Sequence, residues 1–144
     1  MFFLFNKKAN DEMIEICNFN RTRDFGKPGD ARCDRSTKWG NPFICYEEKN
    51  RDRVCDLYED YLDAITIPNN EKNVKMLLKI GGLTETQINS WMMRTGGFLD
   101  LSDLKGAKRI FCFCSPRRCH CDYLRKKLLI LEEPILVERM RGNE

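Results

Sequence analysis

The chain has 144 residues, of which 42% are hydrophobic and 33% are charged. This length and composition predict one globular domain over residues 1–144, large enough to bury a core without disulfide bonds. The formal net charge of +3 is too small to indicate nucleic-acid binding by itself. No stretch approaches the length of a transmembrane helix, and the apolar start is too short for a secretory signal. We therefore expect a soluble protein with no membrane partner, located in the cytoplasm, or in the host cytoplasm or virion if the chain is viral.

Alternating side chains predict a first strand over residues 13–19 and a buried strand over residues 108–114. The second of these strands sorts its side chains between two faces, with Ile110, Cys112 and Cys114 opposite Phe111 and Phe113. Residues 20–34, rich in glycine, proline, aspartate and arginine, are predicted to form a loop.

Apolar residues at helical spacing predict four helices. They cover residues 51–65, 71–80, 84–94 and 120–131. A capping box that starts at Thr84 opens the third helix. Pro134 is expected to end the fourth, with an edge strand following at residues 135–137. These elements predict an α/β sandwich with a central, mostly parallel sheet and helices on both faces, which is a Rossmann-like arrangement.

Eight cysteines are many for a cytosolic chain but too few for a disulfide scaffold. In the absence of an export signal, reduced thiols or a metal site are favoured over disulfide bonds. An oxidising destination, such as the inside of a virus particle, would reverse this expectation.

A cluster of cysteines lies where the buried strand ends and the last helix begins. With its neighbours it comprises Cys112, Cys114, Cys119, His120, Cys121 and Asp122. Ligands collect at this position in α/β proteins, because free backbone N–H groups and the helix dipole point outward from the carboxyl edge of the sheet.

Three interpretations of this cluster remain open. In the first, Cys114, Cys119 and His120 bind zinc together with a fourth cysteine, because thiolates and imidazole are preferred zinc ligands. The candidates for that fourth ligand are Cys112, Cys121 and Cys33. In the second, Cys114 or Cys119 is a reactive thiolate and His120 carries a proton. In the third, the cysteines pack as small hydrophobic residues and the histidine only caps the helix.

The segment at residues 35–43 combines side chains that suit a nucleotide-like ligand. Arg35 and Lys38 supply donors for an anion. Trp39 offers a face for stacking, and Asn41 carries an amide that both donates and accepts hydrogen bonds. The structural alternative is a rigid loop in which Trp39 fills the core.

Residues 105–127 contain eight basic residues and one acid, Asp122. A local positive field is predicted there, and it would favour a phosphate, a carboxylate or a nucleic-acid backbone. The alternative is an ordinary solvated helix face.

Four motifs follow one another along the chain. They are Lys-Trp-Gly-Asn-Pro-Phe at 38–43, Tyr-Glu-x-Tyr-Leu at 58–62, Leu-x-x-Leu-Lys-Gly at 101–106 and Cys-x-Cys-x-Pro-x-x-Cys-His-x-Asp at 112–122. In this order they resemble the KWGNPF-type family, domain of unknown function 4326, over about residues 16–128. The resemblance implies a small α/β fold in which the first and last motifs share one site. It implies no particular reaction.

The chain departs from the family pattern at two places. Cys121 stands where members usually carry a small residue, often glycine, and Cys33-Asp34 replaces the usual residues before Arg35. The two cysteines could be additional metal ligands in this chain, or they could mark a site that has changed.

Our leading hypothesis is that the chain binds, or also transforms, a nucleotide-like or other phosphorylated small molecule at the carboxyl edge of the strands. The anion would contact Arg35, Lys38 and Arg118. Trp39 would stack on the ligand and Asn41 would read its polar groups. The catalytic candidates are Cys114, Cys119, His120 and Asp122, although Asp122 has stabilisation of the helix dipole as an alternative role.

The rival hypothesis is a zinc-stabilised interaction or accessory module without catalysis, of a kind that a virus could encode. Its ligands come from the same cluster and are Cys112, Cys114, Cys119 and His120. A third hypothesis is nucleic-acid binding through residues 105–127, which predicts a steep loss of affinity with salt.

Overall fold

A computed structural model describes residues 14–114 and 117–141, with side chains described as far as residue 131. Three strands form one sheet within these residues: β1 at Glu15–Asn18, β2 at Asp30–Arg32 and β3 at Arg109–Cys112. Their order is β1-β3-β2, and both neighbouring pairs are parallel. The predicted α/β class and its parallel sheet are therefore confirmed.

Four α-helices surround this sheet in the described residues. They are α1 at Arg51–Ile65, α2 at Glu71–Ile80, α3 at Glu85–Thr95 and α4 at His120–Arg141. Short 3-10 helices at Glu48–Asn50 and Leu101–Leu104 precede α1 and β3. The capping box that opens α3 is present, with Thr84 and Gln87 bonded to each other's backbone. The helix ends at Gly96, whose φ of 69° suits glycine.

The predicted end of the last helix at Pro134, and the edge strand after it, are wrong. Helix α4 continues through this proline to Arg141. A proline inside a helix removes one backbone hydrogen bond and crowds the preceding turn. The residues on both sides include several leucines, glutamates and arginines, which are good helix formers, so the local preference resumes after the interruption.

Helix α1 lies at the centre of the core, because its apolar stripe is buried along its whole length. Tyr58, Tyr61, Leu62 and Ile65 have no exposed surface. Helix α1 packs against α2 and α4, and α4 in turn contacts β1 and β3. The same core includes Ile110 and Cys112 of β3 and Leu124 of α4. Helix α4 therefore packs on one face of the sheet and links it to the core around α1.

The other face of the sheet is covered by the loop between β1 and β2. Register places Cys17, Phe111 and Arg32 beside one another on it. Phe25, from the loop, stacks edge-on against Phe111 with ring centroids 4.9 Å apart. Phe111 is fully buried. Phe111 and Cys112 thus point to opposite faces of the sheet, as the alternation predicted. Helices cover the face of Cys112, and the loop covers the face of Phe111.

Candidate functional site

Three buried thiols meet at the carboxyl end of β3. Cys112 is the last residue of that strand, and Cys119 and Cys121 lie at the start of α4. Their Sγ atoms all lie within 4.8 Å of one another, and each residue is at most 4% exposed. The Sγ atoms of Cys112 and Cys119 are 3.6 Å apart. All eight cysteines of the chain are free thiols.

The spacing of these sulfur atoms matches what a thiophilic metal needs. A tetrahedral zinc with Zn–S bonds of about 2.3 Å places its sulfur atoms about 3.8 Å apart. The separation of 3.6 Å between Cys112 and Cys119 is close to this value, and every pair of the three lies within 4.8 Å. The thiols therefore occupy three corners of a site that a metal ion could fill with little rearrangement.

Cys114 lies next to this group, with a hydrogen bond to Cys119, but outside the set of three whose Sγ atoms all lie within 4.8 Å of one another. It is half-buried, two residues after Cys112. A hydrogen bond from Cys119, with a further one from the Arg51 guanidinium, lowers the pKa of Cys114 to about 6. Hydrogen bonds with Cys112 and with Cys114 raise the pKa of Cys119.

His120 lies beside the thiols but faces a backbone carbonyl. Its Nε2 is 2.5 Å from the oxygen of Cys33 and 3.6 Å from Sγ of Cys121. Because a carbonyl oxygen only accepts, Nε2 must carry the proton and donate. Burial lowers the pKa of His120, so the ring is neutral. Its predicted roles as ligand or proton carrier stay predictions, and its visible role is to tie the start of α4 to the end of β2.

Asp122 caps the first turn of α4. Its Oδ2 accepts a hydrogen bond from the backbone N–H of Cys119 at 3.1 Å. A carboxylate at this position satisfies a free N–H group and opposes the positive end of the helix dipole. The residue is exposed, so this contact leaves its predicted catalytic role untested.

Trp39 and Asn41 are both 4% exposed and bond to the protein itself. The Asn41 amide donates to the carbonyl of Val54 and accepts from the N–H of Phe43. The segment turns tightly at Gly40, where an added Cβ would lie 2.5 Å from the Arg35 backbone. Their predicted contacts with a ligand stay predictions, since in this arrangement both side chains pack inside the fold.

Tyr58 of α1 connects the two motifs, and we did not predict a role for it at the site. Its hydroxyl donates to the carbonyl of Trp39 at 2.7 Å. Its ring stands edge-on to His120, with centroids 5.1 Å apart. The available signal was a tyrosine on the buried stripe of a helix, because a buried hydroxyl needs a partner outside that helix. Tyr58 therefore contacts a residue of each motif, and the Cys33 carbonyl joins His120 to the residues just before Arg35.

The three predicted anion ligands are already engaged by protein groups. Nη1 of Arg35 donates to the carbonyls of Asn41 and Phe43. Lys38 pairs with Asp103 at 3.1 Å. Arg118 meets three carboxylates of α1, from Asp52, Asp56 and Glu59.

Acidic residues also neutralise other basic side chains in the stretch at residues 105–127. Its other ion pairs join Arg109 to Asp24 and Asp30, Arg117 to Glu48, and Lys127 to Asp63. Half of its eight basic residues are thus paired with acids elsewhere in the chain. The local positive field predicted from the sequence is correspondingly weakened.

A small cleft reaches Cys119 from the surface. Its volume is about 180 Å³, and its lining consists of Cys55, Glu59, Arg118, Cys119, Asp122, Tyr123 and Lys126. Pockets for drug-sized ligands typically have about 300–1,000 Å³. The cleft therefore suits an ion or a very small molecule better than a nucleotide.

Comparison with known proteins identifies the family. The model of domain of unknown function DUF4326 matches residues 17–129, close to the range over which the motifs resemble that family. No curated protein and no solved structure matches the chain significantly. Among the described residues, no helix is both long and apolar enough to cross a membrane. The chain belongs to the DUF4326 family.

Proposed function

We propose that this protein binds a zinc ion through Cys112, Cys119 and Cys121, with Cys114 as the fourth ligand. The observation that carries the proposal is the group of three buried Sγ atoms within 4.8 Å of one another. Buried cysteines that serve only as hydrophobic filling have no need to point their sulfur atoms at a common centre.

The chemistry of the ligand set selects the metal class. Sulfur ligands in a tetrahedral arrangement favour zinc or iron–sulfur chemistry over magnesium, calcium or manganese. Four protein ligands leave no open position, so the zinc is structural and the module works without catalysis at the metal. Because the ligands must be reduced, the function belongs in a reducing compartment such as the cytoplasm.

Two arginines near the thiols would offset the negative charge of a zinc ion bound by several thiolates. The Arg51 guanidinium bonds to Cys114, and Arg118 lies at the mouth of the cleft beside Cys119. Hydrogen bonds from outside the ligand set orient ligands and offset the negative charge of several thiolates. The ion would join the end of β3 at Cys112 to the start of α4 at His120.

The phosphorylated-ligand hypothesis has less support from the same geometry. It requires Arg118 to leave three carboxylates and requires Trp39 and Asn41 to leave the core. Each step costs free energy that a ligand would have to supply. The zinc hypothesis requires only the loss of protons from thiols that already face one another.

The test is the metal content of protein purified without chelator, measured by native mass spectrometry with zinc and iron quantified. We expect one zinc per chain in the wild type. Cys119→Ser and Cys121→Ser should each weaken zinc binding by more than about 100-fold, because even changes outside the ligand set cost about 10–100-fold. Cys17→Ser is the matched control, since Cys17 is equally buried but lies on the other face of the sheet.

A second readout separates binding from folding. A zinc chelator should lower the melting temperature of the wild type and of Cys17→Ser, and it should leave Cys119→Ser unchanged. Wild-type protein that is folded, reduced and metal-free, and that takes up no added zinc, would overturn the proposal. Iron in place of zinc would overturn the choice of metal and keep the site.

A further inference from the structure

The face of the sheet that lies away from the thiols carries a cluster of aromatic rings. The ring of Phe19 is 5.0 Å from Phe111 and 5.0 Å from Phe113, measured between centroids. Phe25 contacts Phe19 at 5.3 Å and Phe111 at 4.9 Å. Phe111 is the buried base of this cluster, and the other rings are arranged around it.

Two of these rings remain open to solvent. Phe25 is 43% exposed and Phe113 is 45% exposed, although both are held in ring contacts. Exposed aromatic rings at fixed positions on a sheet are the surfaces on which unpaired bases stack in nucleic-acid-binding proteins. Exposed phenylalanine rings that share one patch are typical of an interaction site, whereas single scattered rings are common on any surface.

Arginine side chains border the rings. The Arg32 guanidinium lies 4.9 Å from the ring centroid of Phe19 and is about half exposed, at 48%, while it pairs with Asp34. Arg21 and Arg23 lie in the turn after β1 and are exposed. Neither of them forms an ion pair with any residue that the structure describes.

Hydrogen bonds place the turn that carries Arg21 and Arg23 beside Phe113. The N–H groups of Arg21 and Thr22 both donate to the carbonyl of Asn18, at 2.9 and 2.8 Å, which forms the turn. The side-chain amide of Asn18 donates to the carbonyl of Phe113 at 3.2 Å. The turn is therefore anchored at the backbone of an exposed ring.

We infer that this aromatic–arginine face, formed by Phe19, Phe25, Phe113, Arg21, Arg23 and Arg32, binds single-stranded nucleic acid. Bases stack on Phe25 and Phe113, while phosphates pair with the arginines. A duplex is a poor partner because its bases are not free to stack on protein rings. A second copy of the chain is a poor partner too, because it would bring like-charged arginines together.

The positive charges of this face, Arg21, Arg23 and Arg32, lie outside the basic stretch at residues 105–127 that the sequence suggested for nucleic acid. The face is also independent of the zinc proposal. Phe111 and Cys112 are neighbours in β3 and point to opposite faces, so the rings and the thiols lie on different sides of the sheet.

The experiment measures binding of a short fluorescein-labelled oligothymidylate to the full chain by fluorescence anisotropy, at low and at physiological salt. We expect binding that weakens with salt and a poor response to duplex competitor. Phe25→Ala and Phe113→Ala should each weaken binding at least about fivefold, the lower end of the loss per stacked base. Tyr46→Ala is the matched control, because Tyr46 is 82% exposed and lies outside this face.

Further variants separate stacking, charge and folding. Phe25→Leu keeps the apolar volume and removes the ring, so it should lose affinity as Phe25→Ala does while circular dichroism stays native. Arg23→Gln should reduce the salt slope by about 0.7, which is the value for one phosphate contact on a single strand, and Lys79→Gln should not. Phe25→Leu should keep the metal content of the wild type while it loses affinity for the oligonucleotide, which distinguishes this inference from the zinc proposal.

Three outcomes would overturn the inference. They are an absence of binding at low salt, an equal loss of affinity in Tyr46→Ala, and self-association of the wild type that Phe25→Ala abolishes without any effect on the oligonucleotide.

Discussion

The two faces of the sheet share one central strand and differ in what covers them. On one face Ile110 and Cys112 pack into the core with the helices, and water is excluded from the thiols. On the other, Phe111 is covered by a loop whose Phe25 remains nearly half exposed. The helices bury the thiols, whereas the loop leaves part of the aromatic cluster at the surface. The proposed zinc ligands and the proposed nucleic-acid face therefore lie on opposite sides of the sheet.

The largest effect is expected from Phe111→Ala, which tests whether the loop-covered face is part of the true core. Loss of a fully buried phenylalanine should reduce the free energy of unfolding by about 3–5 kcal/mol. Urea unfolding measures this loss, and Phe111→Leu should recover much of it. Met93→Ala is the control, because Met93 is 88% exposed. A loss below about 1 kcal/mol for Phe111→Ala, the size of a surface change, would mean that the loop does not seal this face.

Tyr58→Phe tests the helix-covered face. The change removes the donor to the Trp39 carbonyl and leaves that buried oxygen unpaired, so the free energy of unfolding should fall by about 1–3 kcal/mol. Tyr46→Phe, at an exposed position, should change it by less than about 0.5 kcal/mol. Equal values for the two variants in urea unfolding would show that the link between the motifs through Tyr58 adds no stability.

Acid should weaken the loop-covered face through Asp30. Hydrogen bonds from Arg109, Lys27 and Gly26 hold the pKa of Asp30 well below its usual value of about 4. A carboxyl group with a depressed pKa in the folded state contributes stability above its usual pKa, and this is lost as pH falls toward the folded value. The melting temperature should therefore fall below about pH 4, and less so in Asp30→Asn.

The matched control for this acid response is Asp60→Asn, because Asp60 is exposed on α1. It should keep the wild-type pH profile of the melting temperature. A profile in Asp30→Asn that is indistinguishable from the wild type would mean that other carboxyl groups control unfolding in acid. We expect this effect to be smaller than those of the two truncations, since the Asp24 end of the network is half exposed.

The smallest effect is expected from Arg118→Gln, at the surface beside the thiols. Two of its three carboxylate partners, Asp52 and Asp56, are largely exposed, so the free energy of unfolding should fall by less than about 1 kcal/mol. Arg125→Gln is the control, because Arg125 lies close to Arg118 in sequence, in the second turn of α4. If Arg118 instead holds an anionic ligand, the variant will keep its stability and lose a copurified small molecule, detected by native mass spectrometry.

Much of the local structure could be predicted from periodicity. Helices α1 and α2 have the predicted bounds, because an apolar stripe of helical spacing specifies both the helix and the face it buries. The alternation in β3 separated Phe111 from Cys112 for the same kind of reason. Pro134 was misjudged because one unfavourable residue was given more weight than the favourable helix formers around it.

The candidate site was predictable in position and only partly in membership. The sequence pattern indicated that thiols would gather where β3 ends and α4 begins. It named Cys112, Cys121 and Cys33 as alternatives for one ligand position, and it did not indicate that Cys112 and Cys121 would both lie with Cys119 while His120 faced the carbonyl of Cys33. Neighbouring residues at a helix start point in directions about 100° apart, so which of them faces the strand depends on how the helix is seated.

The sequence by itself determined the α/β class, the principal helices, the family and the region of the thiol cluster. These follow from the spacing of residue types along the chain, which does not depend on the tertiary structure. Only the tertiary structure decided that α1 places Tyr58 between the two motifs and brings three carboxylates to Arg118. Such partners are distant in sequence, and they meet only because packing brings their elements together.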